Sequence, residues 1–127
     1  MSNEELIQIA NETRKRAYAP YSNFSVGAAL LSSDGQIFTG CNIENASFGA
    51  TMCAERTAIA NAVSSGVTDF TKIAIAGAKD LCYPCGICRQ VLSEFCDPET
   101  FEIILISSEG KIKEFKLGEL LPNFFNL

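Results

Sequence analysis

The sequence predicts an α/β protein, a mixed β-sheet with helices on its faces. Three observations predict it. Apolar runs of strand length alternate with segments of helical periodicity, which calls for crossover connections. Two strands each lead directly into a turn of hairpin type, Ser33-Asp34-Gly35 and Ser108-Glu109-Gly110, so antiparallel pairs belong to the same sheet. The 127 residues are 47% hydrophobic and 20% charged, the balance of a folded globular protein, and at this length the expectation is one domain over residues 1–127.

Each element has its own warrant. Ser2-Asn3-Glu4-Glu5 has capping-box spacing, and Leu6, Ile9, Ala10 and Ala17 follow at helical intervals, so a first helix is expected to about Arg16, stopped by Tyr18-Ala19-Pro20-Tyr21. Phe24 to Leu31 and Gln36 to Asn42 read as a hairpin, and residues 43–51 as a loop. Alanine-rich sequence from about Cys53 through Ala62 predicts a second helix ending near Gly66, followed by a short apolar strand over Lys72 to Ala78. Pro84 precedes a helix over Cys85 to Phe95, marked by the stripe Ile87, Val91 and Leu92. Phe101 to Ser107 and Lys111 to Lys116 form the last two strands, and Leu117 to Leu121 a terminal helical turn before Pro122.

Composition excludes several classes of function. No stretch reaches membrane-spanning length, and the acidic start Met1-Ser2-Asn3-Glu4-Glu5 lacks the basic and apolar regions of a secretory signal, so a cytoplasmic location is expected. In that reducing compartment the six cysteines read as metal ligands or spare thiols rather than a disulfide framework. The sequons at Asn11, Asn23 and Asn45 are then chance occurrences. A net charge of −5 argues against a nucleic-acid partner, and the one basic run, Arg14-Lys15-Arg16, is better explained as capping the end of a helix. The absence of histidine removes Ser-His-Asp and Cys-His chemistry, and neither a Walker loop nor a dinucleotide glycine fingerprint is present.

What remains is Cys53-Ala54-Glu55 followed by Pro84-Cys85-Gly86-Ile87-Cys88. Three thiolates leave a tetrahedral zinc ion one open position for water, the mark of a catalytic rather than a structural site, and a carboxylate beside that water can move its protons. Both cysteine groups fall at expected helix starts, where unpaired amides favour thiolate over thiol. Cys85 and Cys88 share a face of a first turn, whereas Cys53 and Glu55 can serve one site only if Cys53 sits at the helix boundary. Cys82 is a rival fourth sulfur; with it the site would be closed, and Glu55 would be an ordinary first-turn glutamate. Cys41 and Cys96 read as buried small hydrophobes. Arg56 is either a surface arginine or a guanidinium that hydrogen-bonds a ligand sulfur and moderates the excess negative charge.

With these motifs in view the chain resembles the small, homotetrameric, zinc-dependent cytidine deaminases. The resemblance runs through Tyr18-Ala19-Pro20-Tyr21-Ser22 with Phe24, Val26-Gly27-Ala28-Ala29-Leu30, Gly40-Cys41-Asn42-Ile43-Glu44-Asn45, Cys53-Ala54-Glu55-Arg56-Thr57-Ala58 and Pro84-Cys85-Gly86-Ile87-Cys88-Arg89-Gln90. It implies a three-layer α/β/α sandwich with a mixed five-stranded sheet, one zinc ion held by Cys53, Cys85 and Cys88, and Glu55 as the proton shuttle. It implies hydrolysis of cytidine and deoxycytidine to the uridines and ammonia, in pyrimidine salvage. Asn42 and Glu44 would hold the ribose 3′-hydroxyl, Phe24 would pack on the base and Ala54 would offer it a backbone contact; from spacing alone the first two are equally loop polar residues and Phe24 a core residue. The tail Leu120-Leu121-Pro122-Asn123-Phe124-Phe125 resembles one in which a phenylalanine, here best matched by Phe125, reaches a neighbouring subunit's site. Phe48 departs from the tyrosine often found at its position. Three rivals stand beside this reading: a polynucleotide-editing deaminase, a deaminase of blasticidin S, and a non-catalytic zinc-stabilised domain closed by Cys82.

Overall fold

The computed structural model describes residues 1–127. Five strands form one sheet: β1 (Val26–Ser32), β2 (Ile37–Cys41), β3 (Phe70–Gly77), β4 (Glu102–Ile106) and β5 (Ile112–Lys116). Their spatial order is β2-β1-β3-β4-β5. Only β3 and β4 run parallel; the other neighbours are antiparallel, so the sheet is mixed as expected. Four helices complete the chain: α1 (Asn3–Thr13), α2 (Ala54–Ser64), α3 (Gly86–Phe95) and the short α4 (Leu117–Leu120).

The layers follow from the two-residue period of the central strands. Ala29, Ala74 and Ile104 point to one face, where Leu6, Ile7 and Ala10 of α1 cover them. Their neighbours Ala28, Leu30, Ile73, Ile75, Ile103 and Leu105 point to the other face, under α2 and α3. Helix, sheet and helices therefore make three layers. Both faces of β1 are buried, which is why Val26 to Leu30 reads as an unbroken small and apolar run.

Two glycines set how closely the helices approach. A Cβ on Gly40 would stand 2.3 Å from the Ala58 amide nitrogen and 2.5 Å from the Ala54 carbonyl, so α2 rests directly on the β2 backbone. Gly27 does the same for the end of α1, with a Cβ falling 2.0 Å from the Ala10 carbonyl oxygen.

Three expectations are corrected. The α-helical part of α1 ends at Thr13, and Arg14–Arg16 form a 3₁₀ turn. Thr13 Oγ1 takes up the Ile9 carbonyl at 2.8 Å, a side-chain bond that competes with helix continuation. The basic run thus lies beyond the α-helical end, with Arg14 on Asn11 and Ser25 and Lys15 paired to Glu12 at 3.1 Å. Second, β1 begins at Val26 rather than Phe24, because the Asn42 side chain replaces a ladder partner: its Oδ1 accepts from the Val26 amide at 2.9 Å and its Nδ2 donates to the Phe24 carbonyl at 2.8 Å. Third, Cys96 is buried as expected, but Cys41, on the edge strand β2, is half-exposed.

Candidate active site

Cys53 and Cys85 are the N-caps of α2 and α3, both in extended backbone conformation. The two helix starts converge beside the carboxyl end of β3. Each presents unpaired amides and the positive end of its dipole, a setting that favours anions. Because Cys53 stands outside the first helical turn, the unfavourable two-residue offset to Glu55 does not apply: the cysteine leaves the extended segment while Glu55 projects from the helix itself.

The Sγ atoms of Cys53, Cys85 and Cys88 lie within 4.8 Å of one another, with Cys53 to Cys85 at 3.7 Å and Cys85 to Cys88 at 3.4 Å. Zinc–sulfur bonds of about 2.3 Å in a tetrahedron put sulfurs about 3.8 Å apart, so the donor set fits one zinc ion. Cys82 lies outside this group. Its Cβ packs over Gly77, and burial pushes its thiol up to about 11. The closed four-sulfur arrangement therefore lacks its fourth member.

The sulfurs share their protons unequally. Cys53 is held down to about 5, chiefly by a hydrogen bond from Cys88 and then by Arg56 and Cys85, while Cys88 is pushed far up by the same bond and by burial. Arg56 Nη2 reaches Cys53 Sγ at 3.5 Å and the Thr51 carbonyl at 3.1 Å. Its Nε is buried without an acceptor, while Nη2 makes both of these bonds.

Glu55 is 4% exposed, and burial raises its carboxyl to about 7, with the neighbouring Cys53 thiolate adding to the effect. A carboxyl at that value can both take and give a proton near neutrality. It opens on a cavity of about 280 Å³ whose wall includes Phe24, Asn42, Glu44, Cys53, Ala54 and Cys85. Its lining is mostly hydrophobic with a few polar groups, the make-up of a small-molecule site.

The family model for the cytidine and deoxycytidylate deaminase zinc-binding region matches residues 1–103. The chain belongs to that deaminase family. It is 46% identical over 127 residues to the cytidine deaminase of Sporosarcina psychrophila, covering 99% of this chain and 93% of that one. To the cytidine deaminase of Halalkalibacterium halodurans it is 48% identical over 126 residues, covering 98% and 95%. The crystal structure of cytidine deaminase from Burkholderia pseudomallei superposes with a TM-score of 0.92 at 46% identity, covering 98% of this chain and 100% of that one. The family is a zinc-binding one, and the three-cysteine group of this deaminase is the donor set that suits the ion.

Most of the expected site residues of this deaminase meet at the cavity, but three stand apart, the fully buried Cys88 among them. Arg56 lies behind Cys53, outside the wall, and Phe125 is 67% exposed, away from the cavity of its own chain. Asn42 and Glu44 are also engaged with protein: Glu44 Oε1 accepts from the Tyr21 and Ser22 amides at 2.9 and 3.1 Å, and the Ser22 hydroxyl bonds its other oxygen. That hydroxyl is the main reason the Glu44 carboxyl is lowered. Thr51, Met52 and Tyr83 line the cavity without having been singled out. The signal for all three is adjacency: each lies within two residues of an N-cap cysteine.

Proposed function

We propose that the protein hydrolyses cytidine and deoxycytidine to uridine and deoxyuridine with release of ammonia, as an enzyme of pyrimidine salvage. The observation that carries this reading is Glu55, a buried carboxyl near pH 7 beside three converging sulfurs on the wall of a nucleoside-sized cavity. When bound by Cys53, Cys85 and Cys88, zinc supplies a Lewis acid that lowers the pKa of water toward about 7. Glu55 takes one proton from the attacking water and delivers it to ring N3, then takes the proton of the resulting C4 hydroxyl and gives it to the amine, which leaves as ammonia as the C4 carbonyl forms. Arg56, donating to Cys53 Sγ, withdraws charge from an otherwise strongly anionic ligand set.

Binding falls to the rest of the wall. Phe24 packs on the base, and the Ala54 amide, free at the first turn of α2, contacts the pyrimidine. Asn42 and Glu44 face the ribose, with the lone pairs and donors that remain after clamping residues 21–26. A homotetramer with shared sites accounts for Phe48, Tyr21 and Phe125, which are 86, 63 and 67% exposed, more aromatic surface than an isolated small chain needs. In it Phe125 closes a neighbour's cavity. The whole chain acts as one catalytic unit in the cytoplasm, where six free cysteines stay reduced.

A net charge of −5 and a small cavity disfavour a polynucleotide substrate. No helix is long and apolar enough to cross a membrane. The test is a substrate comparison: cytidine, blasticidin S and a single-stranded oligonucleotide offered to the zinc-loaded protein, with ammonia release measured and sedimentation run in parallel. Turnover of cytidine by a tetramer is expected. Preference for either of the other two sinks the proposal.

A further inference from the structure

Arg89, one turn after Cys85 on α3, spans two backbone carbonyls far apart in the sequence. Its Nε donates to the Pro84 oxygen at 2.7 Å and its Nη1 to the Leu120 oxygen at 2.6 Å. Pro84 is fully buried, and Leu120 is the last residue of α4, where carbonyls lack helical partners. The adjacent Gln90 extends the link, its Nε2 donating to the Phe125 oxygen at 2.7 Å.

We infer that Arg89 is a positioning residue that fixes the Pro84–Cys85 peptide and the root of the C-terminal tail in one frame, so that the zinc-ligand turn and Phe125 are placed together. The Pro84 carbonyl belongs to the peptide bond whose nitrogen is that of Cys85. Rotation of that peptide swings the Cys85 thiolate, which has no side-chain cap of its own to hold it. A buried carbonyl stripped of its donor drives such a rotation, because leaving it unpaired is costly. The other arm holds Leu120, from which the tail departs. A planar guanidinium can serve two divergent carbonyls at once, whereas a lysine ammonium at the end of one flexible stem cannot replace both bonds. Gln90 touches only the tail, so the two neighbours divide the work: Arg89 acts on the metal turn and the tail, Gln90 on the tail alone. The tail half of this inference rests on the reading of the cavity as a nucleoside site; the zinc half does not.

The experiment compares wild type, Arg89→Ala, Arg89→Lys and Gln90→Ala as full-length zinc-loaded proteins. Zinc transfer to a colorimetric chelator, melting of the metal-free forms, and kcat and KM for cytidine are measured. Arg89→Ala is expected to give up zinc at roughly tenfold lower chelator concentration, the scale of lost support around a metal ligand, and to raise KM. Arg89→Lys falls between, and Gln90→Ala keeps wild-type zinc affinity while raising KM. Wild-type zinc affinity in Arg89→Ala, whatever its melting temperature, reduces Arg89 to a fold staple and overturns the inference. Should Arg89→Ala not fold, Arg89→Lys decides by the same zinc criterion. Wild type inert toward cytidine, with Arg89→Ala still shedding zinc, removes the nucleoside reading and leaves the zinc half standing.

Discussion

Cys53 and Cys85 cap two different helices with their Sγ atoms 3.7 Å apart. Neither thiol caps its own helix by a side-chain hydrogen bond. The usual serine, threonine, aspartate or asparagine oxygen is replaced by a sulfur aimed across at the other helix. Helix-end stability is thereby given up at two places, and the donors so freed converge on one point.

The unequal sharing of protons among the sulfurs should be visible in their reactivity. In metal-free protein at pH 7, Cys53, held near 5, is ionised and should be the first site alkylated by iodoacetamide, down to about pH 5. Cys82 and Cys96, pushed up to about 11 and about 12 by burial, should stay unlabelled. Peptide mass spectrometry reads the order, and zinc should protect Cys53. Equal labelling of all six cysteines would contradict the site's electrostatics.

Burial of Glu55 carries a pH signature. Below about 4.5 the carboxyl is protonated whether the chain is folded or not; from there to about 7 the folded chain retains a proton that the unfolded chain has released. Stability therefore falls as pH rises through that window, and the whole penalty, on the order of 3 kcal/mol, is present above it. Glu55→Gln lacks the charge. The melting temperature of metal-free Glu55→Gln should exceed that of metal-free wild type by a margin that widens between pH 5 and pH 8. A constant margin would show that the carboxylate is not desolvated.

Gly40→Ala should be among the most disruptive small substitutions. The added methyl meets backbone atoms of Ala54 and Ala58, which cannot move without lifting α2, the carrier of Cys53 and Glu55. Overpacking of this kind costs about 1–3 kcal/mol, a fall in melting temperature on the order of 10 °C at the upper end. Weakened zinc binding should accompany it, whereas Gly49→Ala, with open space at its Cβ, should leave both unchanged.

Asn42 holds the Phe24–Val26 backbone, and in the proposed function it also serves binding. Asn42→Ala removes both bonds to the Phe24–Val26 backbone and leaves those groups unpaired, so it should destabilise by about 1–3 kcal/mol and also raise KM, because Phe24 is held by the same bonds. Asn42→Asp keeps the bond from Val26 and loses the donor to Phe24, and should fall between. Unfolding in urea and steady-state kinetics on the three proteins check the order.

How much of this was legible in the sequence differs from element to element. Helical stripes and hairpin turns located all nine elements, because alternation and 3.6-residue periodicity report which side of an element is buried. Their ends were less legible where a side chain intervenes, as with Asn42 at the start of β1 and Thr13 at the end of α1. The sulfur cluster was foreshadowed by spacing, since one cysteine pair lies on a single turn. Bringing Cys53 to that pair depends on the packing of α2 and α3 on one face of the sheet, which no local pattern encodes. Thr51, Met52 and Tyr83 flank the N-cap cysteines in the sequence, but that the two flanks share one cavity wall depends on the meeting of loops far apart in the chain. Tyr83 is further held by Phe115 of β5, with ring centroids 5.5 Å apart.

The most direct measurement follows the loss of cytidine absorbance with wild type and Glu55→Gln, with zinc counted per chain in both. The account predicts one zinc per chain in each protein, turnover by wild type, and a rate lower by about 10²-fold or more for Glu55→Gln, as expected when the group that moves the protons is removed. Wild type that holds zinc yet leaves cytidine unchanged, or Glu55→Gln that turns it over at the wild-type rate, would contradict the account.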